Sequence, residues 1–109
     1  MIIVWSPEAI DDLAALRAYI AEQDPDAALR TALHILHNVE MLLPANPQMG
    51  RPGRVPGTRE LVIPRTLFIV PYRVENIEAW PAPTVGTRQA QTIQVLRVYH
   101  GARRWPDKF

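Results

Sequence analysis

The sequence contains no cysteine among its 109 residues, which excludes disulfides and thiolate chemistry and suits a reducing compartment. It has no apolar run near the roughly 20 residues that a membrane-spanning helix needs. Its N-terminus also lacks a basic segment leading into an apolar one. We therefore expect a cytoplasmic protein with no membrane partner. The length predicts a single domain over residues 1–109 with one modest core.

Lysine is almost absent as well, because eleven of the twelve basic residues are arginine. The charges divide along the chain. Residues 1–45 carry seven acidic and two basic residues, a net charge of −5, whereas residues 46–109 carry ten basic and four acidic residues, a net charge of +6. Arginine favours bidentate contact with carboxylate or phosphate. The second half is therefore predicted to bind an acidic partner.

Two helices are predicted after a short first strand at Ile2–Trp5. Ser6-Pro7-Glu8 and Asp24-Pro25-Asp26 both place a capping side chain before a proline at the first helical position. Apolar residues at helical spacing predict that the first helix runs to about Gln23. The second helix is predicted to bury one leucine-rich stripe, with small residues that let the neighbouring helix approach. The stripe is Leu29, Leu33, Leu36, Val39 and Leu43, and the small residues are Ala28 and Ala32.

The second half is predicted to form strands. Residues 44–58 are rich in proline and glycine and are interpreted as a loop. Pro71 lacks a ladder N–H, which implies an edge, a bulge or a locally wide pair. Residues 75–91 are interpreted as an extended β-hairpin insertion, with a disordered loop left open as the alternative. The predicted strands are Arg59–Ile63, Leu67–Val74 and Thr92–His100, with a tight turn at residues 64–66.

This order of elements predicts an α+β fold, β-α-α-β-β-β. An antiparallel helical hairpin should pack on one face of an antiparallel sheet, because each helix is polar on its other side.

Two blocks of sequence carry a family resemblance. The first is Gly-Thr-Arg-Glu-Leu-Val-Ile at residues 57–63 followed by Phe-Ile-Val-Pro-Tyr-Arg-Val at 68–74, and the second is Val-Leu-Arg-Val-Tyr-His-Gly-Ala-Arg-Arg-Trp-Pro at 95–106. Together they resemble the RelE/ParE superfamily of type II toxin–antitoxin toxins, and the ending is closest to the ParE branch. The resemblance implies growth inhibition through a topoisomerase, DNA gyrase, a role in plasmid stabilization, and neutralisation by a cognate antitoxin with an acidic C-terminal segment.

The alternative within the superfamily is a RelE-type ribosome-dependent mRNA interferase, an endoribonuclease acting on ribosome-bound mRNA. By resemblance its catalytic residues would be Arg73, Arg97, Tyr99 and His100, with histidine as acid or base and arginine stabilising the phosphorane. Two departures disfavour this chemistry. The only lysine, Lys108, lies in the tail, and no acidic general base is visible in the loop before Arg59. We therefore favour a noncatalytic inhibitor.

In the noncatalytic interpretation the basic residues bind the target or the antitoxin, and Trp105 clamps the tail onto the sheet. No cofactor is expected, and His34 and His37, one helical turn apart, are interpreted as a solvated or interface face rather than half of a metal site. The candidate binding residues are Arg59, Arg65, Arg73, Arg97, His100, Arg103, Arg104 and Trp105.

Overall fold

The computed structural model describes residues 2–77, 90–101, 105–106 and 108–109. A strand, a helical pair and a set of further strands follow one another, which confirms the predicted α+β class. The elements are β1 (Ile2–Trp5), α1 (Pro7–Ala21), α2 (Pro25–His37), β2 (Arg51–Pro52), β3 (Arg59–Val62), β4 (Phe68–Ile77), β5 (Ala90–Val95) and β6 (Tyr99–His100). A π-helical turn, Asn38–Leu42, and a last helical turn, Leu43–Ala45, extend α2.

The strands form one mixed sheet in the order β1-β5-β4-β3-β2, and β6 also pairs with β4. β1 lies parallel to β5, whereas the other pairs are antiparallel. The parallel pair arises because the α1–α2 hairpin crosses over the sheet between β1 and the later strands. None of the helices in the described part of the chain is long and apolar enough to span a membrane.

Both predicted helix starts are confirmed by their caps. Ser6 Oγ accepts a hydrogen bond from Ala9 N–H at 3.0 Å, and Asp24 Oδ1 accepts one from Ala27 N–H at 3.0 Å. Each cap satisfies an N–H that has no partner within its own helix. α1 ends at Ala21, slightly before the predicted position near Gln23.

The core lies between the helices and one face of the sheet. That face carries Leu61 of β3, Val70 and Tyr72 of β4, and Ile93 and Val95 of β5, all buried. The helical residues that pack over them are Ala9, Leu16, Ile35, Val39 and Leu43. The opposite side of the sheet is called here the open face.

The predicted apolar stripe of α2 is wrong for two of its members. Leu29 and Leu33 are 45% and 55% exposed, whereas Ala28 and Ala32 are buried. α2 carries apolar residues on two faces, and the face with the smaller side chains turns inward because it lets α2 approach α1 closely. The larger leucines are left on the surface.

The predicted last strand, Thr92–His100, is interrupted. Val95 pairs with Tyr72, and Tyr99 pairs with Ile69. The four residue steps from Val95 to Tyr99 therefore lie opposite only three steps of β4. One extra residue makes a β-bulge and reverses which side of the sheet the following side chains occupy. Pro71 lies opposite this bulge and cannot donate a ladder N–H, so its anticipated irregularity is confirmed.

The loop over residues 44–58 is more structured than predicted. The helical extension reaches Ala45, and Arg51–Pro52 pairs with Arg59 and Glu60 as β2. In the predicted insertion at 75–91, the β4–β5 pairing continues outward to Ile77 and Ala90, which is the base of a hairpin. Residues 78–89 lie outside the described residues.

Candidate functional site

Arg97 lies in the bulge and binds α1. Its guanidinium donates to the Asp12 carboxylate from Nε at 2.7 Å and from Nη2 at 2.9 Å, and Val98 N–H donates to the same carboxylate at 3.0 Å. The hydrogen bond with Asp12 is the main effect that raises the pKa of Arg97, against a smaller lowering by burial. The guanidinium is therefore charged and held by a bidentate pair that ties the end of β5 to the helical layer.

The C-terminal tail packs on the open face through stacked side chains. The Trp105 ring lies 5.0 Å from the Tyr99 ring in an edge contact, and the Arg54 guanidinium lies 4.0 Å from the Trp105 ring centre. Arg97 stacks on Tyr99 at 4.7 Å, and Phe109 lies 6.2 Å from Tyr99. Aromatic pairs and cation–π contacts of this kind each contribute about 0.5–1.5 kcal/mol. Trp105 thus clamps the tail to the sheet, as predicted.

Glu60 binds two arginines from within the sheet and balances one of their two charges. Its side chain is 2% exposed, and it accepts hydrogen bonds from Arg51 at 2.9 and 3.1 Å and from Arg54 N–H at 2.8 Å. The Arg54 guanidinium also lies 3.4 Å from this carboxylate. Adjacent Arg59 is not its partner, because successive residues in a strand point to opposite faces. Arg51 and Arg54 are therefore both held by a contact within the domain, with one of their two positive charges balanced.

Three predicted arginines have no carboxylate partner among the described residues: Arg59, Arg65 and Arg73. Arg59 begins β3 on the helix-facing side, and its Nη1 donates to the carbonyls of Gln48 and Gly50. Arg65 is exposed at the β3–β4 turn, with a left-handed φ of 63°. Arg73 lies half-buried on the open face of β4, paired in register with Gln94.

His100 lies on the helix-facing side of the sheet edge. It pairs with Phe68 of β4, and the two rings make an edge contact at 5.9 Å. Both line an apolar groove of about 550 Å³ between α1 and the β3–β4 turn. On the α1 side the groove is lined by Ala15, Leu16, Tyr19 and Ile20, and on the sheet side by Thr66, Leu67, Phe68 and His100.

Exposed apolar side chains occur both in the groove and on α2. Tyr19 and Leu67, which line it, are 74% and 68% exposed, and Leu29 and Leu33 of α2 leave further apolar surface in solvent. An apolar groove lined by exposed side chains is a candidate site of protein or ligand contact.

A comparison with known protein families decides the assignment. The family described as ParE toxin of type II toxin-antitoxin system, parDE, matches residues 3–105. This chain belongs to the ParE toxin family.

Two relatives agree with this assignment. A Sinorhizobium fredii protein named "Putative toxin Y4kP" is 35% identical over 105 residues, covering 96% of this chain and 93% of that protein. A solved chain from the chromosomal ParDE TA system of P. aeruginosa superposes with a TM-score of 0.70 at 31% identity, covering 92% of this chain and 95% of that one.

The candidate residues of this ParE chain do not form one cluster. Tyr99 contacts both Arg97 and Trp105, whereas His100 faces the helical side. Phe68, the partner of His100, precedes Arg73 by five positions in β4, which at about 3.3 Å per residue separates the two by about 16 Å along the strand. Arg103 and Arg104 lie outside the described residues.

Two acidic residues of this ParE chain were missed as site residues. Asp12 holds Arg97, and Glu60 holds Arg51 and Arg54. A buried strand position occupied by Glu60 requires partners, and the arginines of the preceding loop could have indicated them. Asp12 gives no such signal, because its partner lies 85 residues away.

The helix-two histidines have a structural use in this ParE chain. His34 Nε2–H donates to the Pro64 carbonyl at 2.8 Å, which ties α2 to the β3–β4 turn. Among the residues that the structure describes, no group of three His, Cys, Asp or Glu side chains could hold a metal ion.

Proposed function

We propose that this ParE-family toxin inhibits bacterial growth by binding DNA gyrase and catalyses no reaction itself. The noncatalytic part rests on one observation: the residues that an mRNA interferase would use are divided between two faces of the sheet. Arg73 lies on the open face about 16 Å from His100 along β4, at about 3.3 Å per residue, and His100 faces the helices.

A nuclease needs these groups around one phosphate. A general acid or base must come within hydrogen-bonding distance of its proton, and the cation must reach the same phosphorane. Arg97 is already bound to Asp12, and the Tyr99 ring is covered by Arg97 and Trp105. The described arrangement therefore supports binding better than cleavage.

The unpaired arginines support an acidic target. Arg59, Arg65 and Arg73 have no carboxylate partner in the described part of the chain. Like-signed groups of this kind steer association with an acidic surface and contribute more to specificity and association rate than to raw affinity. We infer that this acidic surface belongs to gyrase because the chain is a member of the ParE family.

We also propose that a cognate antitoxin neutralises the toxin by covering the helical hairpin and the basic side of the sheet. An amphipathic segment would bury its apolar side chains in the groove beside Tyr19 and Leu67 and on the exposed leucines of α2. Its acidic C-terminal residues would pair with the unpaired arginines, and it would fold on binding.

The gyrase assignment is tested with purified toxin in DNA supercoiling and cleavage-complex assays. Wild-type protein should inhibit supercoiling, and Arg73→Gln should weaken inhibition by about threefold to tenfold because it removes charge from the open face. Arg30→Gln is the matched control, since Arg30 is exposed on α2 in the acidic layer. Unchanged gyrase activity at saturating toxin would show that the target is wrong.

The alternative activity is tested separately by primer extension on translated mRNA. The proposal expects no toxin-dependent cuts within ribosome-bound codons while growth stops. Cuts that require the toxin and the ribosome would replace the gyrase proposal with the interferase.

A further inference from the structure

A second concave site lies at the other end of β3, away from the apolar groove. It has a volume of about 300 Å³, near the lower limit for small-ligand pockets. Pro52, Arg59 and Val74 line it from the sheet, and Gln48, Gly57 and Thr58 line it from the loops. Of the lining residues that the structure describes, Arg59 alone carries a charge.

The Arg59 guanidinium has one nitrogen in use. Nη1 donates to the Gln48 carbonyl at 3.3 Å and to the Gly50 carbonyl at 2.8 Å. An arginine has five N–H donors, so the edge formed by Nε and Nη2 keeps three. Among the described residues no acceptor binds that edge. This edge can donate two parallel hydrogen bonds, one to each oxygen of a carboxylate.

The loop that orients this guanidinium is held to the sheet by hydrogen bonds. Tyr72 Oη accepts a hydrogen bond from Gly50 N–H at 2.9 Å and donates one to the Pro47 carbonyl at 2.8 Å. A Cβ at position 50 would lie 2.5 Å from Tyr72 Oη, so only glycine fits there. Arg59 is therefore held in place in advance, which reduces the entropy cost of binding.

We propose that this pocket binds a carboxylate carried on a short apolar stem. The single cation matches the single charge of a carboxylate, whereas a phosphate dianion would be left partly unneutralised. Val74 and Pro52 supply an apolar wall for one or two methylene groups. The carboxylate can belong to a free small acid or to an acidic side chain of another protein. Arg59 is also one of the arginines in the proposed function, but the binding test below uses small carboxylates and does not depend on gyrase being the target.

The experiment is an NMR titration that follows the Arg59 Nε–H and Thr58 amide signals. Propionate should give saturable shifts with a dissociation constant in the millimolar range, about 1–10 mM, as expected for a small fragment. Propionamide, its neutral counterpart, should give none. N-acetylglutamate N-methylamide tests the source: tighter binding than propionate indicates a protein side chain, and weaker binding indicates a free acid.

Two sets of variants assign the shifts to the pocket. Arg59→Lys should weaken propionate binding about tenfold, because lysine keeps the charge but lacks the planar pair of N–H donors that binds both carboxylate oxygens. Arg65→Lys, at the exposed turn, should have no effect. If Arg59→Lys disturbs the loop, Val74→Glu and Val74→Gln leave Arg59 intact: the glutamate should occupy the site and abolish binding, and the glutamine should retain it.

Three results would overturn the proposal. One is the absence of a saturable shift with either carboxylate, and another is an equal shift with propionamide. The third is displacement of propionate by inorganic phosphate at a lower concentration than propionate itself requires, at constant ionic strength.

Discussion

The Asp12–Arg97 pair provides the most quantitative test of how the fold holds the end of β5. Asp12→Asn keeps the shape of the side chain but removes its charge and turns one acceptor into an NH₂ donor. Of the three hydrogen bonds that the carboxylate accepts, at least one is lost and replaced by a donor facing a donor. The Asp12 and Arg97 side chains are 13% and 25% exposed, so water can replace the lost hydrogen bonds only in part.

Breaking a fully buried ion pair costs about 3–5 kcal/mol, and the residual exposure lowers the expected loss here to about 2–3 kcal/mol. That is a large part of a typical domain stability of about 5–15 kcal/mol. It corresponds to a fall in melting temperature of about 10–20 °C.

The assay is urea unfolding followed by circular dichroism, with thermal melts alongside. Asp11→Asn is the matched control, because Asp11 is the neighbouring acid on α1 and is exposed; its effect should stay within about 0.5 kcal/mol. Arg97→Gln should cost a similar amount to Asp12→Asn, and the double variant should cost less than the sum. An Asp12→Asn protein as stable as Asp11→Asn would refute the argument.

Two further predictions concern the buried phenol and the faces of α2. Burial raises the pKa of Tyr72, against smaller lowering effects of the Gly50 hydrogen bond and the Arg59 charge. The folded state holds the phenol proton more tightly than the unfolded state does. The stabilisation that follows is therefore present in full below the unfolded pKa of about 10, and it is lost as the pH rises through the folded pKa. The unfolding free energy of the wild type should therefore fall more steeply above pH 10 than that of Tyr72→Phe, which at pH 7 should be about 1–3 kcal/mol less stable; parallel pH profiles would contradict this. Leu33→Asp should change stability by about 0.5 kcal/mol or less, whereas Ile35→Asp, at a fully buried position, should cost several kcal/mol and prevent folding. Co-purification with the antitoxin should fall for Leu33→Asp, and unchanged co-purification would place the antitoxin elsewhere.

Local chemistry made the helices and their order predictable. The serine and aspartate caps with the prolines after them mark both starts, because each signal lies within four residues of the backbone group that it satisfies. The irregularity around Pro71 was also foreseeable, since a missing N–H must be accommodated somewhere in the ladder.

Features that depend on distant contacts were not predictable from the pattern. α2 has two apolar faces, and only packing against α1 decides that the alanine face is buried while Leu33 is exposed. The bulge after Val95 depends on Asp12, whose carboxylate takes the Val98 N–H that a regular strand would use. That bulge exchanges the faces of Tyr99 and His100, and it separates His100 from Arg73, which an uninterrupted strand would have placed on the same face.

This result changes how the arginines should be tested. Arg97→Ala would disturb folding as well as binding, because its guanidinium holds α1 to the sheet. Arg73 is the better probe of charge, since the described part of the chain offers it no carboxylate.

The most direct test of the central claim, that this toxin acts without catalysis, is the toxicity of His100→Gln in cells lacking antitoxin. The substitution keeps approximate size and hydrogen-bonding capacity but removes the imidazole, the group that would act as general acid or base. The account predicts that growth arrest and gyrase inhibition stay within about threefold of wild type, since loss of a general acid or base would instead lower activity by about 10²–10⁴-fold. A folded His100→Gln protein that binds antitoxin normally and has lost its toxicity would contradict it.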